Sequence, residues 1–519
     1  MDTAEAVVYH GNCLEELKNL PDNSIDAIVT DPPYGLGNSD PDYIMSALKM
    51  WIEGDREHIP AGKGFMGKQW DAFVPPPAVW DECFRVLKPG GHILVFAGTR
   101  TQDLMGLSVR MAGFEIRDSI SWIYGSGFPK SLDISKALDK MAGAEREVLG
   151  RNPNSRENAT KENTLYESGT VGKTDFITAP STDAAKQWEG WGTALKPALE
   201  PIIVGRKPLS EKNVSLNVLK WGTGGINIDK SRIGTDTMGG GTMPDLRDVG
   251  AKSKEAIGID KLSFGQVSGA ERIEYDNFKT GRFPANLIFT HGEDCVEIGV
   301  VEESYAINKT EEWTGFGQKE RPDYESTEQK VSTVLYECVD GCPVKELDEQ
   351  SGIRPGGTYP AKRGQSVNTS FASGQETEGG QRQMGDSGGA SRFFYVAKAN
   401  KKDRNEGLDG LDEKGKVYNG KSDESAGNAP GSVEDKFTTK PQANHHPTVK
   451  PTSLMEYLVA LVCPVGGVVL DPFTGSGSTG KAAIRKGVKF VGIEMTDEYL
   501  PIIKGRLEHE IDKKNGSLF

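Results

Sequence analysis

The residues Asp31-Pro32-Pro33-Tyr34 follow directly on the apolar run Ala27-Ile28-Val29-Thr30. A buried strand would carry the acid to the carboxyl edge of a sheet, where open α/β folds bind their ligands. Pro32 and Pro33 fix φ and remove two backbone donors, so the loop offers mainly carbonyl acceptors. Tyr34 adds a flat face for stacking. Acceptors beside an aromatic platform suit the exocyclic amino group of a planar base. The plain alternative is a turn, since Asp and Pro are ordinary turn residues.

A second group lies near the other end of the chain. The apolar stretch Val468–Leu470 runs into Asp471-Pro472-Phe473-Thr474-Gly475-Ser476-Gly477-Ser478-Thr479-Gly480. Gly475 and Gly477 permit positive φ and close approach of backbone to a ligand. Glu494, at the tip of the next apolar run, stands where dinucleotide folds hold ribose hydroxyls. Gly475–Lys481 also satisfies the phosphate-loop pattern, but Ala482 occupies the position where Ser or Thr must hold magnesium. Asp471 would repel phosphates and suits a cationic sulfonium instead.

The surrounding pattern predicts how these groups are positioned. Ala27–Thr30, His92–Ala97 and Ser119–Tyr124 read as buried strands, and Pro77–Leu87 and Thr101–Ala112 as helices, the first closed by Lys88-Pro89-Gly90-Gly91. Such alternation implies a parallel sheet. After Lys140 some 250 residues (about half a chain this size) are polar and rich in Gly, Asn and Thr. Apolar islands occur there at Pro201–Val204, Leu287–Thr290 and Phe393–Ala397. Order returns with a helix over Thr452–Val462, capped by Thr452, the strands Val468–Leu470 and Lys489–Ile493, and a closing helix from Asp497. The last ~70 residues are too few to stand alone and must complete the first sheet. The expected fold class is α/β, a doubly wound and mostly parallel sheet. Its halves are residues 1–135, catalytic, and 444–519, cofactor-binding, separated by an inserted region, 136–443.

The chain has 519 residues, six cysteines and a formal net charge of −14. Few cysteines and no apolar segment of spanning length predict a cytoplasmic protein without membrane association. The acidic balance weighs against phosphate binding, but basic residues cluster locally. Arg206, Lys207, Lys212, Lys220, Lys230 and Arg232 face only Glu211 and Asp229 over Val204–Ile233. A second cluster comprises Arg392, Lys398, Lys401, Lys402 and Arg404. Either is a candidate surface for DNA, or simply a solvated face. His291-x-x-x-Cys295 and Cys338-x-x-x-Cys342 are two tight pairs suited to a closed, structural zinc site, against the plainer reading of half-buried thiols.

These motifs together resemble the β class of DNA amino-methyltransferases. Asp31–Tyr34 is similar to that family's catalytic motif, and Asp471–Gly480 with Val491–Glu494 to its S-adenosylmethionine site. His446-Pro447-Thr448-Val449-Lys450-Pro451 resembles the segment that closes over the cofactor, and Gly11-Asn12-Cys13-Leu14 a Gly-Asp-Cys element that touches the cofactor's adenine. Asn12 replaces the Asp there. Leu195–Pro201 is similar to a segment of phage-associated members. The catalytic motif precedes the cofactor motif, as in the circularly permuted order of this class. The resemblance implies a methyltransferase fold whose inserted region recognises the target in double-stranded DNA. It implies methyl transfer to adenine N6, with cytosine N4 as the alternative. Asp31, Pro32, Pro33 and Tyr34 would hold the base. Asp471, Pro472, Phe473, Gly475, Ser476, Gly477, Ser478, Thr479, Glu494, Lys450 and Asn12 would hold the cofactor. A second copy and a companion nuclease stay open.

Overall fold

The computed structural model describes residues 3, 5–37, 40–62, 71–125, 127, 131–151, 176–233, 282–292, 294–308, 326–355, 387–397, 401–413, 417–420, 435–438 and 443–516. The chain forms two compact units, one of residues 1–227 with 397–519 and one of residues 228–396. Among the described residues no helix is long and apolar enough to cross a membrane.

The first unit is built on strands β1 (Ala6–His10), β2 (Ile25–Thr30), β3 (Leu87–Phe96), β4 (Glu115–Ile123), β5 (Leu199–Arg206), β6 (Val468–Asp471) and β7 (Lys489–Glu494). They lie side by side in the order β1-β7-β6-β2-β3-β5-β4. β1, β7, β6, β2 and β3 are mutually parallel. β5 runs antiparallel to both β3 and β4. Every residue of β2 is buried, as expected for a parallel strand covered on both faces. Helices α1 (Cys13–Lys18), α2 (Pro41–Glu53), α3 (Pro77–Val86) and α4 (Gln102–Met111) supply Leu17, Trp51, Trp80 and Met105 to one continuous core. There they meet Ile28, Ile93, Leu470 and Ile493 from the sheet. Helices α5 (Thr452–Val462), α6 (Ser478–Arg485) and α7 (Leu500–Gly516) pack in sequence on one another. This is the doubly wound α/β architecture expected from the sequence.

The order also fixes where a ligand belongs. From β6 the chain winds through α6 outward to β7, while from β2 it winds the other way to β3. The crevice between β6 and β2 is therefore the switch point at which open α/β sheets bind ligands. Buried Asp26 on β2 accepts from Lys88 Nζ at 2.6 Å and from the Val468 amide at 2.8 Å, which holds the two strands in register.

Three local expectations differ from the structure. Pro201–Val204 lies inside the stretch expected to leave the sheet, yet it forms the centre of β5. Its partners are β3 and β4, more than 70 residues upstream, so no local signal marks it. Lys88–Gly91 does not end a helix before a separate strand. It belongs to β3, where Gly90 at φ +80° takes up a bulge opposite Ile25–Ala27. Thr452 is not the cap of α5 but its first residue, after Pro451. Its amide and hydroxyl donate to the carboxylate of Asp403 at 2.9 and 2.7 Å, so the helix is capped from a distant segment.

In the second unit, strands Val296–Asn308 and Ser326–Glu337 form an antiparallel ribbon, followed by the helix Pro343–Ser351. Of the polar region after Lys140, residues 356–386 and 421–434 are among those that lie outside the described residues.

Candidate functional site

β2 delivers Asp31 to the carboxyl edge of the sheet, and the two prolines turn the chain so that Tyr34 folds back on it. Tyr34 Oη donates toward Asp31 Oδ1 and Glu200 Oε2, both at 2.8 Å. The hydroxyl has one proton, so it can serve one carboxylate at a time. Lys450 Nζ completes the group, donating to Asp31 Oδ2 at 2.7 Å and Tyr34 Oη at 3.2 Å, with Glu200 Oε2 also at 3.2 Å. Lys450 is 6% exposed. Its ammonium stands 5.4, 5.0 and 5.8 Å from the ring centroids of Tyr34, Phe96 and Trp122, within cation–π range.

Burial pushes the Asp31 carboxyl above its ordinary value, Lys450 pulls it back, and Glu200 pushes it up again. Burial works against the Lys450 ammonium, but Asp31 and Glu200 outweigh it and hold the group charged. Burial, then Asp31 and Glu200, raise the Tyr34 phenol well above its usual value, so it remains a donor. The loop itself is pinned. Thr101 Oγ1 donates to the Tyr34 carbonyl at 2.6 Å, and the Gly35 amide donates to Asp71 at 3.1 Å. Gly35 is required at its position, because φ is +64° and a Cβ would come within 2.5 Å of the Val74 amide nitrogen.

On the neighbouring strand, β6 ends in Asp471. The carboxylate accepts from Thr30 Oγ1 at 2.7 Å, the Phe473 amide at 3.1 Å and Thr479 Oγ1 at 2.6 Å. Thr30 and Asp471 are 441 positions apart in the chain, so this bond draws the two motifs together. Asp471 is 2% exposed, and burial raises its carboxyl to about 6. Its acceptors are turned to the protein, which makes it a clasp of the crevice. Gly475 and Gly477 take φ of +57° and +79°. At Gly477 a side chain would meet Ile503 only at ordinary contact distance, so backbone conformation, not crowding, requires glycine there. Glu494, at the tip of β7, accepts from the Gly475 and Thr496 amides, both at 2.8 Å. Burial raises its carboxyl and these amides oppose the shift.

The other expected cofactor residues fall around this turn. Pro472, Ser476, Ser478 and Thr479 are buried, and the Phe473 ring lies 6.3 Å from Trp80. Asn12 caps α1 through the Leu14 amide, next to Gly11, whose own amide donates to the Glu494 carbonyl. Lys450 divides its contacts. Its carbonyl accepts from Ser478 in the turn at 2.9 Å, but its ammonium belongs to the Asp31 group. Lys481, the lysine of the phosphate-loop pattern, is fully buried against Asp403 and Glu406 at 2.8 and 2.7 Å. It is thus committed to carboxylates.

The basic clusters are in large part spent on the fold. Arg206 is 9% exposed and pairs with Glu115, while Lys207 donates to Asn23 and to the Leu87 carbonyl. Lys220 pairs with Glu211, and Lys212 is exposed. Lys230 and Arg232 lie in the second unit, the latter paired with Asp229. In the second cluster Arg404 donates to the Asn444 and His446 carbonyls, and Lys398 lies outside the described residues. The four candidate metal ligands do converge, with His291, Cys295, Cys338 and Cys342 presenting ligand atoms all within 4.8 Å of one another.

A doubly wound sheet thus carries an acid–aromatic loop and a glycine turn on adjacent central strands. Residues 25–144 and 345–505, more than half the chain, match the family model for the N6/N4 DNA methylases, and the chain belongs to that family. Among individual relatives, the type II methyltransferase M2.DpnII of Streptococcus pneumoniae is 47% identical over 68 residues, 13% of this chain and 25% of its own length. The DNA adenine methyltransferase YhdJ of Escherichia coli is 44% identical over 64 residues, 12% of this chain and 22% of its own. The chain thus spans about a quarter of the length of these curated relatives. The solved structure of PvuII DNA methyltransferase, described as cytosine-N4-specific, matches with 12% identity and a TM-score of 0.35, covering 99% of this chain and 92% of that one.

Sequence reasoning missed Glu200, the charge partner of both Tyr34 and Lys450. The signal lay in the quoted segment Leu195–Pro201, whose acid enters the site only because β5 joins the sheet. Asp403 was hidden inside a run read for its basic residues.

Proposed function

We propose that the protein transfers a methyl group from S-adenosylmethionine to an exocyclic amino group of a base in double-stranded DNA, with adenine N6 as the acceptor. The observation that carries this reading is the juxtaposition of the Asp31–Tyr34 loop with the Gly475–Gly477 turn across the β2–β6 crevice, joined by the Thr30–Asp471 bond. An amino nitrogen within the base stack cannot be approached along the required line, so the base leaves the duplex. Tyr34 then stacks on it, and Asp31 with the Pro32 carbonyl accepts the two amino hydrogens. This directs the nitrogen lone pair at the methyl carbon, where positioning supplies much of the rate.

Two carboxylates, Asp31 and Glu200, stand against one ammonium, Lys450. That excess of negative charge suits a reaction in which positive charge passes from the cofactor to the attacking nitrogen. Asp31 is placed to take the surplus proton afterwards. The turn Asp471–Thr479, Glu494 and Asn12 would hold the cofactor. When bound, it supplies the electrophilic methyl group. An acid before Pro-Pro-Tyr and the adenine specificity named for YhdJ favour adenine. The family model also spans cytosine N4 enzymes, and product analysis separates the two. Residues 228–396 are the part that selects the DNA sequence.

In a labelled-methyl assay on DNA, Asp31→Ala should lower turnover by at least on the order of 10²–10³-fold. Cofactor affinity by calorimetry should stay within a few-fold. Retained turnover in this variant removes Asp31 from the chemistry and with it the proposed mechanism.

A further inference from the structure

We propose that His291, Cys295, Cys338 and Cys342 bind one zinc ion, which serves as the structural clasp of the unit formed by residues 228–396. The ligands come as two turns of matching build. In the first, the Cys295 amide donates to the Gly292 carbonyl at 3.0 Å; in the second, the Cys342 amide donates to the Val339 carbonyl at 3.2 Å. Each turn reverses the chain within three residues, so that both of its ligands face the same point. Gly341 at φ +77° completes the second turn.

The ribbon brings the turns together. Val296 lies opposite Glu337 at the base of the two strands. Cys295 immediately precedes the first strand and Cys338 immediately follows the second, so the ladder itself delivers the pairs to one another. His291 Nδ1 stands 3.3 Å from Cys338 Sγ and 3.6 Å from Cys342 Sγ. Tetrahedral zinc with bonds of about 2.3 Å to sulfur and 2.0–2.1 Å to nitrogen has nitrogen–sulfur edges of roughly 3.6 Å. The observed spacings are of that size. Tyr336 stacks on the His291 ring with centroids 4.0 Å apart and planes 22° apart, which fixes the imidazole's orientation.

Three thiols and an imidazole are soft ligands that favour zinc over harder cations. Four protein ligands leave no position for substrate, which makes the site structural. The described part of the unit carries few buried apolar side chains. Apart from the two cysteine ligands themselves, its buried apolar side chains among the described residues are Ile233, Ile288, Phe289 and Val344. Where a metal ties two such turns together, metal binding free energy becomes folding free energy.

The test is elemental analysis of the full-length protein, purified under reducing conditions without chelator. About one zinc per chain is expected. Cobalt exchanged into the site should give the intense visible bands of tetrahedral thiolate coordination. Cys338→Ser and Cys342→Ser should lose the metal, while Cys463→Ser, whose thiol is buried in the first unit, should keep it. Should either ligand variant fold poorly, the wild-type protein answers alone: chelation should expose residues 282–355 to protease, and stoichiometric zinc should restore protection. Wild-type protein that neither contains zinc nor takes it up overturns the proposal. So does iron as the resident metal, or a disulfide among these cysteines found by mass.

Discussion

Asp31 and Lys450 show how much the role of a residue depends on partners the local sequence does not display. The placement of Asp31 was legible, because an acid directly after a buried run is carried to the carboxyl edge of the sheet. Glu200 was not, since nothing near it predicts that β5 inserts between β3 and β4. Lys450 was read as a cofactor residue from its neighbours; its carbonyl does meet Ser478 in the turn, and its ammonium is paired with Asp31 and Glu200. The pair has a consequence for pH. Burial raises Asp31 and Lys450 opposes the rise, so methyl transfer should fall as acid protonates a carboxylate that titrates above its usual range. Replacing Lys450 by Met leaves burial and Glu200 unopposed, and Asp31 must rise further. The acid limb of the pH–rate profile should therefore move to higher pH in Lys450→Met, read in single-turnover assays at saturating cofactor. An unmoved limb would mean that another group titrates.

Among the elements, β2, β6 and β7 were visible as short apolar runs ending in acids, and α5 was placed within a residue. What the pattern could not supply was the bonding that joins them. Asp471 illustrates this, for its position after a strand and before a glycine turn suggested a ligand contact, but its three donors are all internal. Burial holds it at about 6, above an unfolded carboxyl. Its contribution to stability is thus present at low pH and declines as pH rises through 6. Thr479 limits that decline by donating to the ionised form. Thr479→Val should cost about 1–3 kcal/mol by chemical denaturation. The cost should be larger well above pH 6 than well below it. Equal costs on both sides would show that the bond does not favour the carboxylate.

For the molecule as a whole, the expected halves were drawn at residues 135 and 443, but the chain divides into compact units at 227 and 396. The difference arises because β5 and the helix Lys401–Asn405, with Asp403 at its heart, belong to the first unit. Polar composition marked these stretches as an excursion, although their few apolar or acidic side chains are the ones committed to the sheet and to α5. The specificity reading accordingly narrows to residues 228–396. Exchanging that span for the corresponding part of a relative with a different recognition sequence should change which site long-read sequencing finds methylated. Cofactor affinity should stay the same. An unchanged site would move recognition into the first unit.

The strand order β1-β7-β6-β2 also sets a timetable for synthesis. Among the described residues, β1 has one neighbour in the sheet, β7, and the two meet between Ala6–His10 and Phe490–Glu494. A ribosome adding about 5–20 residues per second leaves β1 without its partner for roughly half a minute or more. Both β1 and the β6-facing side of β2 must wait as open edges until the last strands emerge. A nascent chain of this protein therefore cannot complete the pairing of β1 until β7 has emerged.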